Sequence, residues 1–162
     1  MTARGEPSAG EREGRAPRKR EPDPVIDDIG RRVADAGSIE RAAVVPGLFV
    51  AWCVNLGLIS ETVARDEARA VVRLKVREIG GAEFLVSACG GVLDDRVLSE
   101  VGLDFARGHY AAYREFAEAS LPTPVEDTWG NYDRVAPWLT ARYMGRARRR
   151  RRFDWRPWKW RK

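Results

Sequence analysis

The densest chemistry in this sequence lies in its last residues, 146–162, which read RARRRRRFDWRPWKWRK. Arg148, Arg149, Arg150, Arg151 and Arg152 are consecutive, and Trp155, Trp158 and Trp160 alternate with Arg156, Lys159 and Arg161. Guanidinium forks pair with phosphate oxygens and indoles stack on bases, so the pattern suits nucleic acid. Indoles also lodge at a lipid interface beside anionic headgroups, so it suits an anionic membrane surface as well. Nucleic acid stands ahead of lipid, an acidic protein partner is a third choice, and a solvated appendage without a partner is the competing reading. Phosphate binding by such a segment is non-specific and weakens steeply with salt.

A second group of polar residues lies just upstream, in VEDTWGNYDR (Val125–Arg134). Glu126, Asp127 and Asp133 are residue types that hold a divalent cation or share acid and base roles when their pKa values are pushed apart. The competing reading is structural. Asp127 and Thr128 stand where a helix cap belongs, Asp133 beside Arg134 reads as surface charge, and Trp129 and Tyr132, three apart, read as core anchors.

The single histidine, His109, sits mid-helix beside Tyr110, and the two cysteines, Cys53 and Cys89, sit in apolar stretches. Burial disfavours a thiolate, so these cysteines read as small packed hydrophobes rather than nucleophiles. The sequence has no phosphate loop, dinucleotide fingerprint, CxxC pair or HExxH helix. We therefore expect no cofactor or metal site and no catalytic residue.

The elements that would position these groups read as helices. LFVAWCVNLGL is apolar nearly all round, as a central buried helix is, with Pro46 and Gly47 marking its start and Gly57 its stop. Ser60 is a good cap for a helix through ETVARDEARAVVRLKVREI, ending at Gly80–Gly81. AEFLVSAC forms a short helix closed by Gly90–Gly91, and Asp94 or Asp95 caps the next turn. In residues 103–120, Leu103, Ala106, Tyr110, Tyr113 and Ala117 recur at three and four, the period of an amphipathic helix. Pro122 and Pro124 end it. The last helix starts after Asp127 or Thr128 and is broken or kinked by Pro137. Val25–Val33 has room for a short helix or a strand, and no strong sheet pattern appears. The expected fold class is mainly α: a compact domain of five to six helices over 25–145.

Composition divides the 162 residues three ways. Residues 1–24 have almost no large apolar side chain and should form a disordered leader. Ten basic residues against one acidic give the tail a net +9, six against five give the leader +1, and the body from 25 to 145 carries −5. The basic balance of the chain thus comes from its tail, and the body suits a basic protein partner. No signal peptide and no apolar run long enough to span a membrane is visible, so the cytoplasm is the expected location.

Three segments together resemble an uncharacterised family of small bacterial proteins, a domain of unknown function. They are GLFVAWCVNLGLIS (Gly47–Ser60), EFLVSACGGVL (Glu83–Leu93) with GLDFARGHYAAY (Gly102–Tyr113), and VEDTWGNYDRVAP (Val125–Pro137). The residues that carry the resemblance are Gly47, Phe49, Trp52, Phe84, Cys89, Tyr113, Asp127, Trp129, Tyr132, Asp133 and Pro137. The chain departs from that family ahead of Val44, at Val45, where relatives tend to have histidine, and near Gly90 and Val92, where they are more polar. The resemblance implies a bacterial source and a compact domain, and no activity. The expected function is a non-enzymatic intracellular binding protein of the inhibitor or immunity type, with a nucleic-acid-associated protein that binds phosphate through its Arg/Trp-rich tail as the alternative.

Overall fold

The computed structural model describes the backbone of residues 25–153 and the side chains of residues 25–145. The expected leader lies outside the described residues. So do the side chains expected to contact anions: Arg148, Arg149, Arg150, Arg151, Arg152, Trp155, Arg156, Trp158, Lys159 and Trp160.

The fold is mainly α, with seven α-helices among the described residues. Val25–Val33 supplies a strand and helical turns at once. β1 (Asp27–Asp28) is followed by a 3₁₀ turn, Ile29–Arg31, and by α1 (Val33–Ala36). β1 pairs antiparallel with β2 (Val92–Leu93), Asp27 lying opposite Leu93. This two-residue ladder stitches the first segment of the body to its middle.

The central helix α2 (Ile39–Asn55) starts earlier than Pro46 and Gly47 suggest. Ser38 is its cap, its hydroxyl accepting from the Arg41 N–H at 3.2 Å. Pro46 lies inside, where an interior proline costs about 3 kcal/mol through a lost hydrogen bond and a ring clash. Every residue from Ala42 to Val54 is buried, and the burial of that run outweighs the cost.

The helix expected over residues 61–79 is two helices, α3 (Glu61–Asp66) and α4 (Ala68–Lys75). α4 stops short of Gly80 because Arg77 adopts a left-handed conformation, φ 63°. The Glu78 N–H then reaches the Arg73 carbonyl and the Arg77 N–H the Leu74 carbonyl, at 2.8 and 2.9 Å. This is the hydrogen-bond pattern that usually places glycine at the left-handed position. Gly81 does not end a helix. It opens α5 (Gly81–Cys89), which Gly90 closes in the left-handed conformation as expected.

α6 (Glu100–Ser120) shows the expected amphipathic face, with Leu103, Ala106, Tyr110, Tyr113 and Ala117 buried. α7 (Trp129–Phe153) runs through Pro137 without a break. Val135 and Leu139, on either side of that proline, are fully buried, and this packing holds the helix together. Trp138 stacks on Phe116 at 5.0 Å, and the Arg142 guanidinium lies over its ring at 3.3 Å.

Phe49, fully buried on α2, centres an aromatic cluster. Its ring centroid lies 5.0 Å from Tyr110, 5.3 Å from Tyr113, 6.0 Å from Trp52 and 6.4 Å from Phe105. The polar ends of these rings are satisfied. Trp52 Nε1–H donates to Thr140 Oγ1 at 3.0 Å, and the Tyr113 hydroxyl donates to the Val45 carbonyl at 2.8 Å. Phe84 is likewise fully buried.

Helices α2 and α5 cross in close backbone contact. A Cβ on Gly47 would lie 2.4 Å from the Ala82 nitrogen, and one on Gly81 would lie 2.2 Å from the Gly47 carbonyl oxygen. The obstacle in both cases is backbone, which has no rotamer to yield. Gly47→Ala should therefore cost at least about 1–3 kcal/mol in urea unfolding. Gly108→Ala, where an added Cβ meets nothing within 4 Å, should be neutral or stabilising by up to about 1 kcal/mol. Equal effects at the two positions would show that the crossing is not tight.

Candidate functional site

The described surface carries an open groove of about 580 Å³ beside the α2–α5 crossing. Its apolar lining comes from three stretches distant in sequence: Ile39, Ala43 and Val44 on α2, Ala82 and Val86 on α5, and Pro124 and Val125 on the segment between α6 and α7. Ile39 and Val86 are 50% and 41% exposed, a large fraction for such side chains. Glu40, Glu83, Glu126 and Asp127 bring carboxylates to the lining, with Arg41 as its single basic residue. The Glu40 carboxyl is held below its ordinary value by its own backbone N–H and by Ser38, so it is ionised at neutral pH. Arg73 lies 2.7 Å from Glu78 and 3.9 Å from Glu83, so it only partly offsets the Glu83 charge.

Asp127 fixes the third wall. It is a helix cap as expected, but for α5, which lies far behind it in sequence. Its carboxylate accepts from the Gly81 and Ala82 N–H groups at 3.1 and 2.8 Å. α5 needs this because its own cap, Gly80, has no side chain to offer. A Cβ on Gly80 would also lie 2.1 Å from the carboxylate it receives. Burial pushes the Asp127 carboxyl up, against the N–H groups of Ala82, Glu83 and Gly81, which pull it down. α7 takes the other capping residue, Thr128, whose hydroxyl accepts from the Asn131 N–H at 3.2 Å. Buried Asn131 then donates to the Glu126 carbonyl at 2.9 Å, which locks the wall against the start of α7.

Asp133 belongs to a different corner. Both its oxygens pair with the Arg77 guanidinium, at 2.7 and 3.0 Å, in the open. Arg77 also covers Trp129, 4.8 Å from the ring centroid, so Trp129 is a half-buried platform while Tyr132 is the buried anchor. The Tyr132 hydroxyl accepts from Asn55 at 2.8 Å. The guanidinium holds the Asp133 carboxyl below its ordinary value. The stabilisation this implies is present at neutral pH and is lost as pH falls through that lowered value. Asp127 and Asp133, two of the three carboxylates suggested for acid–base work, are thus engaged by separate partners. Among the described residues no group of three or more His, Cys, Asp or Glu is placed to hold a metal ion.

His109 is half-buried against Phe105, centroid to centroid 4.7 Å. Cys53 is fully buried, which pushes its thiol far up, while Cys89 is half-buried rather than enclosed. Burial first, then Glu67 and Asp94, push the Cys89 thiol up to about 12. A cluster around Asp27 has no motif in the sequence to mark it. The Tyr110 hydroxyl donates to Asp27, whose other oxygen pairs with Arg32 at 3.0 Å, tying β1 and the turn after it to α6. The groove has no such mark either, since Ile39, Val86 and Val125 are ordinary apolar positions of three unrelated segments.

This is a small helical domain built around a buried α2, with a cleft of ligand-binding size on its surface. Residues 29–124 match the family described as Domain of unknown function (DUF7832), and the chain belongs to that family. The matched range begins ahead of Val44 and includes both helical walls of the groove; it ends before the Val125–Pro137 segment. No curated protein and no solved structure matches the chain. Among the described residues no helix is long and apolar enough to cross a membrane.

Two outcomes test this geometry. Asp127→Ala should destabilise the fold by about 1–2 kcal/mol in urea unfolding, because two amides of α5 lose their acceptor. Asp127→Asn, which keeps one acceptor oxygen, should cost less, and no change in either variant would remove Asp127 from this role. In the native protein neither cysteine should react with a thiol reagent at pH 7.5 on the timescale on which both react in denaturant. Fast native labelling of Cys89 would contradict its raised pKa.

Proposed function

We propose that this domain is a binding module whose groove takes a basic, apolar-faced segment of a protein partner. The groove itself carries the reading: an apolar lining left partly open to solvent and edged by Glu40, Glu83 and Glu126. An apolar strip between carboxylates complements a segment that alternates Lys or Arg with large apolar side chains. The body as a whole carries a net −5, which steers such a partner in by long-range attraction. An inhibitor or immunity-type protein acting on a basic enzyme is one form such a module takes, within a bacterial cytoplasm. The thiols of Cys53 and Cys89 are held protonated, and Asp127 is committed to the amides of α5. These groups are therefore poorly placed for catalysis, and binding is the better reading.

A direct test uses the full-length chain carrying Trp155→Ser, Trp158→Ser and Trp160→Ser, so that its own tail indoles do not compete, and two fluorescent peptides. One alternates Lys with Leu and Trp; the other has Glu in place of each Lys. The basic peptide should bind, and Val86→Lys should weaken it by about tenfold or more, since the new ammonium stands in the groove lining and repels the ligand. Equal binding by the two peptides would overturn the reading, as would binding unmoved by Val86→Lys.

A further inference from the structure

The groove and the tail are complementary in two independent ways. The groove offers an apolar lining between Glu40, Glu83 and Glu126, and the tail offers Trp155, Trp158 and Trp160 with Arg156, Lys159 and Arg161 between and beside them. The net charge is −5 on the body and +9 on the tail. Indoles suit such a lining because they present a large rigid apolar body and an N–H that a carboxylate can accept.

We propose that this groove is filled by the Arg/Trp tail of a second copy of the chain, the two copies exchanging tails. The proposal rests on the reading of the groove as a site for a basic apolar segment, and it names that segment. Reach assigns the tail to another copy. α7 starts at Trp129, two residues past the groove-wall residue Asp127, and its 25 residues rise about 36 Å without a break. Trp155, Trp158 and Trp160 lie at most about 25 Å beyond Phe153, even with the chain fully extended. The indoles therefore leave from the far end of a helix longer than their own reach, and the Asp127 wall at its near end is closed to them. The groove of a neighbour is not. A reciprocal exchange repeats one contact twice about a two-fold axis and closes on itself as a dimer.

The test is the mass in solution of three full-length chains, measured by light scattering at about 50 mM and about 500 mM NaCl. They are the chain itself, the triple variant Trp155→Ser/Trp158→Ser/Trp160→Ser, and the groove variant Val86→Lys, each checked by circular dichroism for unchanged helix content. The chain itself should be a dimer at low salt and shift toward monomer at high salt, and each variant should be a monomer. A mixture of the two variants should recover a 1:1 complex, because one keeps the groove and the other keeps the tail. A monomeric parent chain overturns the proposal, and so does a dimer that neither variant disturbs. If the parent is monomeric but still binds the basic peptide, the groove reading survives and only the tail assignment falls. If it binds neither, both fall. Binding of a DNA duplex by a monomeric parent, lost in the triple variant, would instead make the tail a nucleic-acid arm and overturn the exchange.

Discussion

Helices α2 and α5 meet backbone to backbone where Gly47 faces Gly81, and no side chain larger than hydrogen fits at either position. The rest of the molecule depends on that contact. It brings the amide end of α5 down onto the middle of α2, and it leaves those amides facing the chain that returns from α6. Asp127 meets them there. The crossing, the cap and the groove wall are thus one construction: two glycines set the distance, a third leaves room for a carboxylate, and the carboxylate ties down the segment that completes the groove.

The core beneath that crossing accepts costs that local preference would refuse. Pro46 sits inside α2, Pro137 inside α7, and Arg77 in a left-handed conformation that glycine would adopt more readily. Each is outweighed by contacts made to distant residues. The buried run of α2 carries Pro46, the packing of Val135 and Leu139 carries Pro137, and Asp133 with Trp129 holds Arg77. Such contacts contribute energy only once the chain is assembled, which is why propensity alone misplaces the boundaries at these three positions.

Charge is arranged on a larger scale than any single pair. The exposed ion pairs, such as Arg65 with Asp66 and Arg114 with Glu118, contribute little to stability in water. The separation of an acidic body from a basic tail is different in kind, because it sets the sign of the surface that a partner meets first. A groove with carboxylates at its edges lies on the acidic part.

The helical class, the apolar identity of α2, the amphipathic face of α6, the glycine stop of α5 and the capping character of Asp127 were all legible in the order of residues. They depend on neighbours within a few positions, and periodicity and capping chemistry report such neighbours directly. Tertiary structure alone decided that α2 begins at Ile39, ahead of Pro46, that residues 61–79 form two helices, and that Asp127 caps α5 instead of the helix that follows it. It also decided that the apolar positions Ile39, Val86 and Val125 line a groove. These outcomes depend on which distant segments come to lie side by side, and a one-dimensional pattern carries no measure of that distance.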